Sequence, residues 1–251
     1  MKIIVFVDTI YGARMLKHLV EKKEDIIAVV LHREGQQNNS DEIREFSKLE
    51  SKRIITATKM NDPLFVKKIS NLKPDIILCF YWTYILPKEI IKIPVMGCVN
   101  VHLGLIPYNR GKNPNVWPII EDTPAGVSVH YINEGIDTGN IIMQREVSVE
   151  PVDTGETLYN KLTNLMHDVF VESWSKIKSS SVENIVQDLE KGTFHLAKDF
   201  ESLNQINFNV KINPEDLINH LRAKTFPPHP QAYFIKDGRK IGVRIELEYL
   251  D

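Results

Sequence analysis

Residues 2–7 read KIIVFV and residues 75–80 read DIILCF. Each is a short apolar run, too short for a packed helix, and both are rich in β-branched residues. Runs of this length that are apolar throughout are the mark of strands buried on both faces, as in a parallel sheet. Between them the period changes. Ala13, Leu16, Leu19 and Val20 recur at helical spacing within residues 11–21, and residues 26–32 form another apolar run. A polar loop, EGQQNNSDE, then leads to an expected N-cap at Ser40 or Asp41. Residues 43–49 read as a helix and 53–58 as a short strand. Residues 62–72 read as a helix that opens at Asp62-Pro63 and stops before Lys73-Pro74. This alternation predicts βαβ units, and so an α/β fold with a parallel sheet and helices on both faces.

The second half is less regular. Strands are expected at 97–102, 126–133 and 140–149, with a proline- and glycine-rich loop, PYNRGKNPNVWP, at 107–118. Asp153-Thr154-Gly155-Glu156 opens a helix at 157–179, and a further helix fits 182–189. A boundary near residue 195 separates a main domain, 1–195, from a small C-terminal α+β region, 196–251. That region holds a short helix at 214–222 and the cluster FPPHP. A hairpin of 232–235 with 240–248 turns at Asp237-Gly238.

The 251 residues carry 31 Lys and Arg against 33 Asp and Glu, a formal charge of -2. That balance argues against a nucleic-acid binder, which is normally basic. No apolar stretch approaches the roughly 18 residues a membrane helix needs. MKIIVFVDTI reads as a first strand and not a leader peptide, so a cytoplasmic protein is expected. Cys79 and Cys98 lie in apolar strand segments and read as buried residues, not as a disulfide or metal pair; no metal is expected.

The chemistry concentrates between Asn100 and Asp137. Asn100 and His102 are two apart on a strand, so they share a face. The strand ends at once, at Gly104 and Pro107, and open α/β sheets bind ligands beyond the carboxyl ends of strands. Asp137 lies in EGIDTGNI, with a glycine on each side. An amide to steady an oxyanion, an imidazole to move a proton and a carboxylate to orient it make a workable acyl-transfer set. His130, in VSVHYI, also lies on a strand, and spacing alone leaves it open which histidine acts.

The flanks of these residues carry a resemblance. NVHLGLIPYNRGKNPNVWPI, TPAGVSVHYINEGIDTGNII and VDTGETLYNKL, in this order, resemble the folate-dependent formyltransferase family, over residues 75–170 and more weakly back to residue 1. The resemblance implies a Rossmann-like formyltransferase sheet without a dinucleotide G-x-G-x-x-G, which the chain also lacks after its first strand. It implies Asn100, His102 and Asp137 as catalytic residues, in a catalytic domain at 1–195. It implies 10-formyltetrahydrofolate as formyl donor, with its pterin beside Phe80, Tyr81, Trp82, Tyr84 and Leu86 and beside the backbone of Glu134, Gly135, Ile136 and Asp137. Many members have Ser where this chain has Gly104, a departure that sugar N-formyltransferases often tolerate.

Within the family, LRAKTFPPHPQAYF followed by a hairpin is similar to the end of sugar N-formyltransferases. The implied acceptor is the amine of a nucleotide-linked amino sugar such as dTDP-4-amino-4,6-dideoxyglucose, used for O-antigen or other surface polysaccharides. GDP-perosamine is an alternative, as are a tRNA formyltransferase with a shortened tail and, least favoured, a non-catalytic binding module. Residues 196–251 hold eight basic and eight acidic side chains, which does not suit tRNA. A pyrophosphate wants Arg or Lys, and Tyr108, Asn109, Arg110, Lys112, Arg222 and Lys224 are the substrate-binding candidates. Ile241, Val243, Ile245 and Leu247 alternate along the last strand; a homodimer would cover that strand.

Overall fold

The computed structural model describes residues 1–250. Its strands are β1 (Lys2–Val7), β2 (Asp25–Leu31), β3 (Ile54–Thr56), β4 (Ile76–Phe80), β5 (Cys98–His102) and β6 (Arg110–Gly111). They continue as β7 (Ala125–Tyr131), β8 (Ile141–Val147), β9 (Phe194–His195), β10 (Ala232–Lys236) and β11 (Arg239–Val243). The helices are α1 (Thr9–Glu21), α2 (Ser40–Ser47), α3 (Pro63–Asn71) and α4 (Lys88–Ile91). After them come α5 (Trp117–Glu121), α6 (Gly155–Lys178), α7 (Ala197–Ser202) and α8 (Pro214–Ala223). The chain divides into two compact units. The first holds residues 1–102, 129–143 and 167–187; the second holds 103–128, 144–166 and the residues from 188 onward.

In the first unit β1 pairs in parallel with β2 and with β4, β2 with β3, and β4 with β5. The seven-stranded order is β3-β2-β1-β4-β5-β7-β8. The chain winds outward from β1 to β3, then returns to start β4 on the other side of β1. Crevices at such a reversal lie at the carboxyl ends of the strands.

The two sheet faces are told apart by strand alternation. Phe6, Cys79 and Cys98 belong to one cluster with Phe65 and Ile69 of α3 and Ile90 of α4. Val7 and Phe80 face the other way. Gly12 of α1 sits so close there that a Cβ would come 2.8 Å from Val7 Cγ2, and Phe80 meets Phe170 of α6 edge-on at 4.8 Å. Helices therefore cover both faces, as the alternation required. Large side chains such as Phe6, Phe80, Phe170 and Ile69 are fully buried, each contributing about 1.5–3 kcal/mol of hydrophobic free energy. Helix α3 starts where Asp62 accepts a hydrogen bond from the Leu64 amide at 2.9 Å, with Pro63 in the first turn.

Three expectations are corrected. Residues 182–189 are not a helix. Val182, Ile185 and Val186 imitate helical spacing, but Ile185 and Val186 are 51% and 76% exposed, so that stripe has no core to face. Instead Ile185 bridges Ile141 antiparallel. The terminal ladder is also shorter than its alternation suggests, since β11 ends at Val243. The cap of α2 is Asn39, one residue before the expected position, and it adopts the left-handed region that Asn tolerates.

The second unit is held by buried polar residues. Ser128, fully buried, donates to Gly104 O at 2.6 Å and accepts from the Ile106 amide and from Gln144 Nε2 at 3.2 and 2.7 Å. Asp153 accepts from Glu150 N, Thr157 Oγ1 and Lys161 Nζ at the start of α6. Arg222 is buried and donates to the carbonyls of Glu150 and Asp153 at 3.0 and 2.9 Å. Lys224 is buried with its ammonium 3.5 Å from the Phe200 ring centre and 2.8 Å from Asn204 Oδ1. Burial pushes its pKa down to about 8. Hairpin β10–β11 turns at Asp237 and Gly238, both with positive φ, as a two-residue type I′ turn demands.

Two outcomes follow. Ser128→Ala strands a buried amide and a buried carbonyl and should lower the unfolding free energy by about 2–3 kcal/mol in urea titration. Lys224 gives a signed pH dependence. Its folded pKa of about 8 lies below the ordinary 10.5, so between these values the unfolded chain keeps a proton the folded chain has released. Stability then rises with pH across that window. The melting temperature of the wild type should gain on that of Lys224→Met between pH 8 and 10.5.

Candidate active site

Strand β5 delivers Asn100 and His102 to one face, the face that Cys98 shares with the α3 and α4 cluster. Strand β7 delivers His130, and the loop that follows delivers Asp137. These four side chains meet within the first unit. His102 Nδ1 lies 3.6 Å from Asp137 Oδ2, and His130 Nε2 lies 3.5 Å from Asp137 Oδ1. Asn100 Nδ2 is 3.3 Å from the same His130 Nε2. Both imidazoles are buried, while Asn100 and Asp137 are half-buried.

The His130 tautomer follows from its partners. Nδ1 is 2.9 Å from the carbonyl of Tyr131, which only accepts, so Nδ1 carries the proton. In the neutral ring Nε2 is then an acceptor for the Asn100 amide. In the protonated ring Nε2–H points at Asp137. Asp137 thus stands between His102 and His130 and faces both rings.

The loop that carries Asp137 is tightly pinned. Asp137 is left-handed, with φ +52°, a conformation Asp tolerates better than most residues. Asn133 Oδ1 accepts from Gly135 N at 3.0 Å and Thr138 Oγ1 at 2.6 Å. At Gly139 a Cβ would fall 1.7 Å from Tyr131 O, so only glycine lets the loop return against β7. Glu134 pairs with Lys88 of α4 at 2.6 Å. Gln187 donates to the carbonyls of Asp137 and Gly139. Gln187 has no sequence signature, because both its partners are backbone carbonyls that no residue pattern records.

The other candidates separate by surroundings. Phe80 and Leu86 are core residues. Tyr81, with φ +56°, stacks on Tyr11 at 5.5 Å. Trp82 meets Phe6 edge-on at 5.0 Å and lies 4.2 Å from the His32 ring, and Tyr84 lies 4.5 Å from that ring. His32 is fixed by Asp8, whose Oδ2 is 3.2 Å from Nδ1. Burial pushes the Asp8 carboxyl up, but hydrogen bonds from His32 and Asn38 outweigh it and hold the group below its ordinary value. Glu134, Gly135 and Ile136 are exposed.

The substrate candidates all lie in the second unit. Tyr108 is half-buried and Lys112 exposed. Asn109 is fully buried, its amide donating to Pro124 O at 3.0 Å and accepting from Thr123 Oγ1 at 3.0 Å. Arg110 donates to Pro107 O at 3.2 Å and lies over the Phe194 ring. Arg222 and Lys224 are buried and bonded inside the unit, as described. Among the described residues no group of three or more His, Cys, Asp and Glu is arranged to hold a metal ion, and no helix is long and apolar enough to cross a membrane.

Comparison with known proteins bears on this site. Residues 1–174 match the formyl transferase family model, and residues 199–249 match the model of an N-formyltransferase dimerization C-terminal domain. The chain is 34% identical over 175 residues to a dTDP-4-amino-4,6-dideoxyglucose formyltransferase of Mycobacterium tuberculosis, covering 69% of this chain and 74% of that one. It is 30% identical over 247 residues to a methionyl-tRNA formyltransferase of Acetivibrio thermocellus, covering 96% and 78%. A 4-N formyltransferase from Francisella tularensis superposes with a TM-score of 0.84 at 28% identity, over 99% and 98% of the two chains. A formyltransferase from Anoxybacillus kamchatkensis, in complex with UDP-4,6-dideoxy-4-formamido-L-AltNAc and tetrahydrofolate, superposes with a TM-score of 0.58 at 28% identity, over 89% and 99%. With a pinned Asn–His–Asp constellation and a family match over more than half its length, the chain belongs to the formyl transferase family.

Proposed function

We propose that the protein transfers the formyl group of 10-formyltetrahydrofolate to the amine of a nucleotide-linked amino sugar, dTDP-4-amino-4,6-dideoxyglucose being the first choice. The observation that carries this reading is the convergence of Asn100, His102 and Asp137, in a chain similar to a dTDP-amino-sugar formyltransferase. Likeness to a 4-N formyltransferase over nearly the whole chain supports it, and a relative with bound tetrahydrofolate supports the donor.

The residues beside the site suit a folate. The exposed backbone at 134–136 offers peptide groups, and Trp82 Nε1 is a buried donor with no acceptor among the described residues. A flat heterocycle rich in acceptors and donors answers both. Bound there, the folate supplies the formyl carbon. His102 takes the proton that the sugar amine loses as its nitrogen bonds to that carbon. Asn100 has two amide N–H groups, of which His130 takes at most one, and donates to the formyl oxygen as negative charge gathers on it. Asp137 keeps both imidazoles oriented and offsets the positive charge His102 gains with that proton. His102 would then return that proton to the folate nitrogen as its bond to the formyl carbon breaks.

For the pyrophosphate, Arg110 and Lys112 are the proposed partners, with Tyr108 beside them; Asn109 supports that loop from inside. The main domain, 1–195, carries the chemistry. Residues 196–251 form a homodimer contact, supported by the dimerization-domain match and by Phe208, Val210 and Ile241, which are 69%, 61% and 41% exposed. A second reading, methionyl-tRNA as acceptor, is favoured by the 30% identity to such an enzyme and opposed by the even charge of residues 196–251.

The test is tetrahydrofolate release with dTDP- and GDP-linked 4-amino sugars and with initiator Met-tRNA. Turnover is expected with a nucleotide sugar, and His102→Ala should cost about 10²-fold or more in kcat. Turnover on tRNA alone, or near wild-type kcat in the variant, would sink the reading. In sedimentation, Ile241→Glu should shift a dimer toward monomer.

A further inference from the structure

We propose that Gln187 is a positioning residue that holds the Asp137 carboxylate in place against His102 and His130. The inference rests on the catalytic reading of Asp137 given above.

Gln187 lies in the extended segment 182–189. Ile185, two residues earlier, exchanges both backbone hydrogen bonds with Ile141 at the start of β8, at 2.8 and 3.0 Å. That bridge sets the segment alongside the end of the Asp137 loop. Ile185, Val186 and Leu189 are exposed, yet the Gln187 side chain between them is only 8% exposed. The segment turns one side chain inward, and its Nε2 donates to Asp137 O at 2.9 Å and to Gly139 O at 2.6 Å.

These two carbonyls bracket the part of the loop where the carboxylate direction is decided. Asp137 is left-handed, and rotation about its backbone would swing the carboxylate away from both imidazoles. A donor on the carbonyl of Asp137 itself and another two residues on resist that rotation. The amide has only one workable orientation. Reversed, its oxygen would face two carbonyl oxygens, and none of the three can donate.

The oxygen of Gln187 shows what the residue is for. Oε1 is buried and has no hydrogen-bond partner among the described residues. An apolar side chain of the same length would fill the space without that penalty. The two bonds from Nε2 are what the amide adds, and both end on the loop of Asp137. The same fact separates positioning from stability. Replacing Gln187 by Met or Leu takes a donor from the carbonyls of Asp137 and Gly139 but also removes a buried unpaired acceptor, so the two effects on folding oppose each other while the loop is freed.

The experiment uses the full chain with the nucleotide sugar and 10-formyltetrahydrofolate of the preceding section. Gln187→Met and Gln187→Leu should each lower kcat about 10-fold or more, because small misplacements of catalytic groups are costly. KM for both substrates and the melting temperature should stay close to wild type. Placed on Asp137→Ala, either substitution should change kcat by less than about 2-fold, since the group it positions is gone. Unchanged kcat, an equal loss in both backgrounds, or a loss that follows a fallen melting temperature in both variants would overturn the proposal. Wild-type activity in Asp137→Ala alone is a different result: it removes the catalytic reading and leaves the hydrogen bonds of Gln187 without a chemical purpose.

Discussion

A carboxylate must stand within 3.6 Å of two imidazoles while its own backbone sits at φ +52°. Much of the first unit answers that demand. Left-handed backbone costs a residue with a Cβ roughly 1–2 kcal/mol, so it persists only where the surroundings hold it. Here the surroundings are specific. Asn133 closes the loop from within, Gly139 lets it return against Tyr131 O, and Gln187 fastens it from a separate segment. His102 Nδ1 and His130 Nε2 face the carboxylate from two sides, at 3.6 and 3.5 Å. A carboxylate placed this way can orient two rings at once.

The sheet explains why these groups meet. Cys98, Asn100 and His102 share one face of β5, and Cys98 lies in the cluster formed with α3 and α4. The apolar start of the strand is anchored in that core, and the polar end of the same face emerges where the strand stops. One alternation therefore serves both packing and chemistry. A slip of one residue in the pairing of β4 with β5, Cys79 opposite Asn100, would turn the amide and the imidazole to the face of α1 and α6.

How much of this the sequence disclosed depends on whether a feature repeats along the chain. Buried strands do, and KIIVFV and DIILCF fall within a residue of β1 and β4. The trio rests on a short spacing inside a distinctive frame, and Asn100, His102 and Asp137 come together. His130 was visible as a residue but not as a role, because which histidine faces a carboxylate is a property of the sheet. Residues 182–189 misled for a physical reason: apolar spacing reports a helix only when a core lies under the stripe, and Ile185 and Val186 point to solvent. Gln187 was illegible because its partners are carbonyl groups, which every residue has.

The basic residues teach the converse lesson. Arg222 and Lys224 invite an anion by charge and by position near the FPPHP cluster, yet each answers a need inside the second unit. Arg222 donates to the carbonyls of Glu150 and Asp153 in the turn just before α6. Lys224 lays its ammonium on Phe200 and bonds Asn204, residues more than 19 positions away that no local pattern ties to it. Both cations are pulled below their ordinary pKa by burial, whereas a cation that binds phosphate keeps its charge at low desolvation until the ligand arrives. A lysine that has already surrendered part of its affinity for a proton is a poor partner for a pyrophosphate. Exposure in the apo chain, more than sign, separates the cations that can meet an anionic substrate from those that hold the fold. By that criterion Lys112 stays a candidate for the proposed substrate contact and Lys224 is a packing element.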